Sequence, residues 1–225
     1  RMMAIRGVWT TNTVAFLIGV GMYSSFVLLP ELVQAPASNG GFGASVTVAG
    51  LFLLPSTIAI VIVGQMAGLL ERRIGSRGSL IGGAVFALAC YILLVADRSQ
   101  QWEIYVAAGL LGIGIGLSFS AMANLIVENV RREQTGVATG MNAVTRTLGG
   151  AFGGQLAATL LASNLGARGL PSSSGFTLAF LMCLIALAAA LAFAFAVPRR
   201  SANDVAPEVA MLPQGRRGEA ERTAA

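Results

Sequence analysis

A stripe of polar and small residues runs along the segment after residue 135. Thr139, Asn142, Arg146, Gly149 and Gly153 recur at spacings of three and four, which places them on one face of a helix. Arg146 would lie roughly 14 Å from the nearer end of this apolar segment. Its guanidinium could attract an anionic group of a ligand or shift the protonation of a neighbouring carboxylate. It could equally be a structural strut that donates to carbonyls of adjacent helices.

Amide side chains also interrupt the other apolar segments, and polar groups there need a protein partner or a wet cavity. We predict that several of them share one cavity, and the candidates are Asn12, Gln65, Asn124, Asn142, Arg146 and Gln155. No carboxylate lies deep in an apolar segment. Glu31, near the end of the first segment, is therefore the local candidate for binding a proton.

The composition excludes several classes of protein. Hydrophobic residues make up 55% of the 225 residues and charged residues only 11%, against about 25% charged residues in a typical soluble domain. Two Cys exclude a disulfide scaffold. The absence of His excludes Ser-His and Cys-His catalysis as well as His-ligated zinc or haem. No phosphate-binding loop is present, so we predict no enzyme activity, no metal and no cofactor.

Six apolar segments approach the roughly 20 residues that a helix needs to cross a bilayer. An all-α, polytopic membrane protein is therefore predicted. Two segments, 80–96 and 176–197, are almost free of polar side chains and could face lipid all round. Residues 198–225 lack apolar periodicity and are predicted to form a disordered tail. The predicted spans are 8–33, 46–70, 80–96, 104–127, 137–162 and 176–197.

The arginines indicate how these spans are oriented. A cytoplasmic N-terminus places nine arginines inside and only two, Arg98 and Arg168, outside, so the positive-inside rule predicts that both termini are cytoplasmic. This asymmetry accounts for the net charge of +5, and nucleic-acid binding is not needed to explain it. The inside arginines are Arg1, Arg6, Arg72, Arg73, Arg77, Arg131, Arg132, Arg199 and Arg200.

The turn after the second segment reads GLLERRIGSRGSL. It resembles the cytoplasmic loop signature of the major facilitator superfamily, Gly-x-Leu-x-Asp-Arg-x-Gly-x-Arg/Lys. The residues that carry the resemblance are Gly68, Leu70, Arg73, Gly75 and Arg77. Arg72 occupies the position of the acid, and Glu71 precedes it. In the family that acid helps to lock one conformation, so the resemblance does not extend to that contact.

Two further runs, GFGASVTVAGLFLLPS and GVATGMNAVTRTLGGAFGG, are similar to late helices of the fourteen-helix drug:proton antiporter branch. The resemblance implies the C-terminal half of a transporter, with six helices in two inverted triplets. It further implies proton-coupled efflux of small-molecule drugs or toxic compounds across the plasma (inner) membrane by alternating access. The partners would be the lipid bilayer, the transported compound, protons and a missing N-terminal half.

One alternative remains open. Glycines four residues apart, such as Gly64 and Gly68 or Gly149 and Gly153, allow helix backbones to approach closely. The chain could therefore be a self-associating six-helix module or an accessory protein without transport activity of its own.

Overall fold

The computed structural model describes residues 6–166 and 169–197, which are almost entirely helical. The predicted tail, residues 198–225, lies outside the described residues. Short 3-10 turns at Ala37–Asn39 and Arg132–Gln134 precede α2 and α4. The five α-helices are α1 (Arg6–Gln34), α2 (Val46–Ala96), α3 (Gln101–Asn129), α4 (Thr135–Ser163) and α5 (Ser173–Ala196).

The prediction of six separate helices is not confirmed, because the second and third predicted helices form one 51-residue element, α2. Residues 71–79, predicted as a loop, continue the helix except at Gly75, where φ is 75° and ψ is 159°. Helical geometry resumes directly after Gly75, so this single residue makes the turn between two helical arms that both pack against α3. We call residues 46–74 the first arm of α2 and residues 76–96 its second arm.

Four of the five helices, α1, α2, α3 and α5, are long and apolar enough to cross a membrane. The remaining helix, α4, does not reach that hydropathy, because Thr, Asn, Arg, Gln and Gly residues interrupt its apolar sequence. The helices nevertheless pack together: α3 lies against both arms of α2, and α1 lies against α4 and α5. The polar helix is thus held by an apolar neighbour, α1.

Glycines set the distance between these packed helices. A Cβ added at Gly112 of α3 would overlap the backbone of Ser56 in the first arm of α2. A Cβ added at Gly114 would lie 2.8 Å from the Gly83 carbonyl oxygen in the second arm. Only residues without a side chain allow such close approach of two helix backbones.

The second arm of α2 and α5 do not face lipid all round, as the sequence had allowed. Cys90, Tyr91 and Cys183 are all fully buried. The Tyr91 hydroxyl donates a hydrogen bond to the carbonyl oxygen of Gly21 in α1. The prediction fails because each of these apolar helices packs one face against α1, and apolar composition alone does not distinguish lipid from protein neighbours.

Arg98 joins the helix ends on the side opposite Gly75. Its guanidinium donates to the Ser173 carbonyl oxygen and to Thr177 Oγ1, each at 2.8 Å, at the start of α5. Partial burial lowers the pKa of Arg98, although an arginine remains charged at neutral pH. Beside it, Ser99 N donates to Asp97 Oδ1 at 3.0 Å, and this backbone hydrogen bond lowers the pKa of the Asp97 carboxyl.

Replacing Gly75 by alanine is expected to destabilise the fold by about 1–3 kcal/mol, because its backbone conformation is essentially restricted to glycine. Thermal unfolding of the purified full chain would measure this. The matched control is Gly82→Ala in the second arm, where a new Cβ would meet only Leu117 Cδ1 at 3.8 Å. Equal melting temperatures for the two variants would contradict the expectation.

Candidate functional site

Two of the predicted cavity residues meet between α1 and α4. Asn142 Nδ2 donates a hydrogen bond to Asn12 Oδ1 at 2.9 Å. Both side chains are buried, with 4% and 2% of their surface exposed. An amide pair of this kind satisfies polar groups that would be costly to leave unpaired in an apolar interior. The bond therefore fixes α1 and α4 at one level along their axes.

Arg146 lies one helical turn beyond Asn142 and faces α3. Its guanidinium carbon lies 4.0 Å from the centre of the Phe119 ring, which is a cation–π contact. Arg146 Nε is buried, and it has no hydrogen-bond partner among the described residues. No ion pair of Arg146 with a carboxylate occurs in the described part of the chain. An aromatic face is thus the close electrostatic partner of this cation.

Close packing of α1 and α4 determines where Arg146 sits. A Cβ at Gly149 would overlap the Phe16 carbonyl oxygen, and one at Gly153 would lie 2.5 Å from the carbonyl oxygen of Val20. In return, Gly19 of α1 lies against the backbone carbonyl of Arg146. Contacts from both helices therefore hold the backbone that carries the guanidinium.

Asn124 lies elsewhere, at the end of the bundle that contains Gly75. It donates a hydrogen bond from Nδ2 to Glu71 Oε2, which links α3 to the first arm of α2. Glu71 is only 9% exposed, and its Oε1 has no hydrogen-bond partner within the described ranges. The structure therefore groups Asn124 with the loop motif rather than with Asn12, Asn142 and Arg146.

The remaining residues of the loop motif have distinct surroundings. Arg77 donates to the carbonyl oxygens of Ala194 and Phe195, which lie in the last turn of α5. A cation at a helix C-terminus is favourable because the terminal carbonyls carry partial negative charge. Gly68 is open to its surroundings, and Arg72 and Arg73 are exposed.

Three other predicted residues stand apart from these contacts. Gln65 in the first arm of α2 and Gln155 in α4 are exposed, and neither side chain makes a hydrogen bond within the described chain. Glu31, the candidate proton-binding group, is also exposed near the end of α1. The structure does not bring these three side chains together with Asn12, Asn142 and Arg146.

Phe119 was missed by the sequence reasoning, which searched only for polar side chains. The sequence could have identified Phe119 as an aromatic residue in the middle of a helix, in a bundle that contains a cation without a carboxylate partner. Within the described residues, no cluster of three or more His, Cys, Asp or Glu could hold a metal ion. The side chains that meet here offer amide hydrogen bonds, a cation and an aromatic face, which suit binding rather than acid–base catalysis.

The sequence model of the Major Facilitator Superfamily matches residues 11–218, nearly the whole chain. The chain belongs to the major facilitator superfamily. Its members and the structural neighbours below are transporters, and the apolar helices are those of an integral membrane protein.

Curated relatives of the chain include multidrug and resistance proteins. The chain is 24% identical over 159 residues to the multidrug transporter protein MdtP of Bacillus subtilis (strain 168), covering 70% of this chain and 28% of the relative. It is 29% identical over 159 residues to the multidrug resistance protein Stp of Mycobacterium tuberculosis, with the same coverage. The methyl viologen resistance protein SmvA of Salmonella typhimurium is 31% identical over 61% of this chain and 28% of the relative.

Solved structures show the same fold. A crystal structure of the peptide transporter POT in complex with sulfate superimposes with a TM-score of 0.71. The superposition covers 97% of this chain and 46% of the transporter, at 16% sequence identity. The chain thus spans less than half the length of the transporters that it resembles.

Proposed function

We propose that the chain is the C-terminal half of a secondary active transporter that exports small-molecule drugs or toxic compounds by alternating access, coupled to proton entry. The observation that carries this proposal is Arg146, a cation between helices whose close partner is the Phe119 ring. A centrally placed cation is costly in a membrane and most often serves a substrate or ion pathway. The resistance proteins among the relatives support the same conclusion.

In this proposal Asn12, Asn142 and Arg146 form part of the substrate cavity. The buried amide pair fixes the helix register, and Arg146 faces the gap between α4 and α3. Its guanidinium can exchange the aromatic ring of Phe119 for an acceptor group of a bound compound. Gln65 and Gln155 are assigned to the cavity rim, which the other half of the protein would complete, whereas Asn124 is assigned to the contact with Glu71.

The missing N-terminal half would cover a surface that this chain leaves open. A Cβ added at Gly64 or Gly68 of the first arm, or at Gly136 or Gly140 of α4, would meet no atom within 4 Å. On α4, Val144 lies one helical turn after Gly140 and is 60% exposed. Rows of open glycines are suited to close helix packing.

The packing also supports two inverted triplets. The first helix, α1, packs against α4 and α5. In the same way, α3 packs against the first and second arms of α2, so the two sets of contacts correspond to each other. We further propose that the Gly75 end faces the cytoplasm, together with both termini, and that the protein resides in the plasma (inner) membrane. The arginines Arg6, Arg72, Arg73 and Arg77 at that end support this orientation.

Proton coupling is assigned mainly to the missing half. Glu31 is exposed at the end of α1, and Glu71 lies at the opposite end of the bundle. Neither carboxylate contacts Arg146. The described residues therefore provide the cation of the cavity, and a carboxylate of the N-terminal half would carry the proton.

The open glycine faces also suit the alternative function, a self-associating module that does not transport. The two functions differ in what covers Gly64, Gly68, Gly136 and Gly140. A transporter half is covered by its own polypeptide, whereas a self-associating module is covered by a second copy.

One experiment tests both. The complete polypeptide that contains these residues is reconstituted in liposomes, its mass in the membrane is measured, and uptake of methyl viologen and tetracycline is followed under an imposed pH gradient. We expect a transporting monomer whose activity stops when a protonophore collapses the gradient. A dimer of this chain that moves neither compound would favour the alternative. Transport that persists after the gradient has collapsed would contradict proton coupling.

A further inference from the structure

A long apolar cleft lies between the two arms of α2 and α3. It has a volume of ≈ 550 Å³ and is lined by Val63, Met66, Leu69, Leu70, Phe86, Ile113 and Leu117, with Arg72 and Arg73 at one end. The apolar part extends from Val63 to Leu70 along the first arm, and the arginines follow directly. The cleft thus has an apolar body and a cationic mouth.

The two arginines are available for a ligand. Both are exposed, and neither makes a hydrogen bond or an ion pair with any residue in the described ranges. The adjacent carboxylate, Glu71, is buried and accepts from Asn124 on α3, so it is turned away from the cleft. Arg77 is occupied by the carbonyl oxygens at the end of α5.

The cleft is not on the open glycine surface. Met66 is two residues from Gly64, and Leu70 is two residues from Gly68. Two residues correspond to about 200° around a helix, so the apolar lining and the glycines lie on nearly opposite sides of the first arm, with Arg72, four residues after Gly68, at the border between the two. A partner packed on Gly64 and Gly68 would therefore leave the cleft facing the bilayer.

We infer that this cleft binds an anionic glycerophospholipid, with one acyl chain between the arms of α2 and the phosphate at Arg72 and Arg73. The apolar lining excludes a polar occupant, and the two cations without a protein partner complement a headgroup with net negative charge better than phosphocholine, whose phosphate is neutralised by its own ammonium group. The site lies at the Gly75 end, which the proposed orientation places in the cytoplasmic leaflet. The inference does not depend on what compound is transported.

The test measures lipid retention by the complete polypeptide in nanodiscs of phosphatidylcholine with a minor fraction of phosphatidylglycerol. Native mass spectrometry would count the lipids that remain bound. We expect the wild type to retain phosphatidylglycerol in preference to phosphatidylcholine. In the Arg72→Gln/Arg73→Gln variant, the ratio of retained phosphatidylglycerol to phosphatidylcholine should fall roughly tenfold. Met66→Trp, which fills the cleft without changing charge, should also reduce retention.

Arg131→Gln is the matched control, because Arg131 is exposed at the same end but does not line the cleft. Its retention should equal that of the wild type. Equal loss in Arg131→Gln and the double variant would overturn the inference in favour of general surface charge. Unchanged lipid retention in Met66→Trp would overturn the assignment of an acyl chain to the cleft. So would displacement of the bound phosphatidylglycerol by added inorganic phosphate, because a phosphate alone would then be enough to occupy the site. Melting temperatures of all variants confirm that the fold is intact.

Discussion

In the Arg146→Ala variant of the complete transporter, the transport rate is expected to fall by a factor of at least about ten, while the abundance of the protein stays near normal. The truncation removes the cation that is proposed to bind an acceptor group of the transported compound; a hydrogen bond to a charged group is worth about 1.5–3 kcal/mol, and about 1.4 kcal/mol corresponds to a factor of ten. The rate of drug efflux per copy of protein in the membrane is the quantity to measure. Abundance should change little, because α1 and α4 remain joined by their glycine contacts and by Asn12 and Asn142.

Two companion variants separate charge from shape. Arg146→Lys keeps a cation near Phe119 and should retain more transport than Arg146→Ala. Phe119→Leu keeps the cation but removes the ring face that positions it, so it should lose less of the transport rate than Arg146→Ala. If abundance and transport fall together in Arg146→Ala, then Arg146 is a structural strut and not a cavity residue.

The second large effect concerns the contact between α1 and α4. Gly149→Ala is expected to lower the free energy of unfolding by about 1–3 kcal/mol, because the new Cβ would overlap the Phe16 carbonyl oxygen and the helices would have to separate. Thermal unfolding in detergent would measure the loss. Transport should fall as well, since the backbone that carries Arg146 would shift.

Gly109→Ala is the matched control for Gly149→Ala. It is the same chemical change inside a helix, but its Cβ would meet only Pro55 Cβ at 4.0 Å. Alanine has the higher helix propensity, so this variant should be neutral or more stable by up to about 1 kcal/mol. A Gly149→Ala variant as stable as Gly109→Ala would show that the two helices are not packed as closely as described.

Periodicity predicted the stripe that contains Asn142 and Arg146, because a helix places residues three and four apart on one face. Periodicity cannot identify the partner across the gap. The pairing of Asn142 with Asn12, and the placement of Arg146 over Phe119, depend on how α1, α3 and α4 pack. The same limit explains Asn124, whose amide contacts Glu71 at the end of the bundle.

The apolar segments were predictable from composition, but their neighbours were not. Cys90 and Tyr91 occur in a segment with the composition of a lipid-facing helix, and both are buried against protein. Gly75 is a different case, since the loop signature has a glycine at this position. The structure retains the unusual backbone conformation at Gly75 while the helix continues on both sides.

The break at Gly75 has a mechanical consequence. A loop of several residues would absorb a change of angle between two helices over many torsions, whereas here the angle depends on the two torsions of one residue. Arg77, two residues later, is hydrogen-bonded to the end of α5. The two arms of α2 therefore meet at a single pivot, and Arg77 anchors the second arm to α5 directly beyond it.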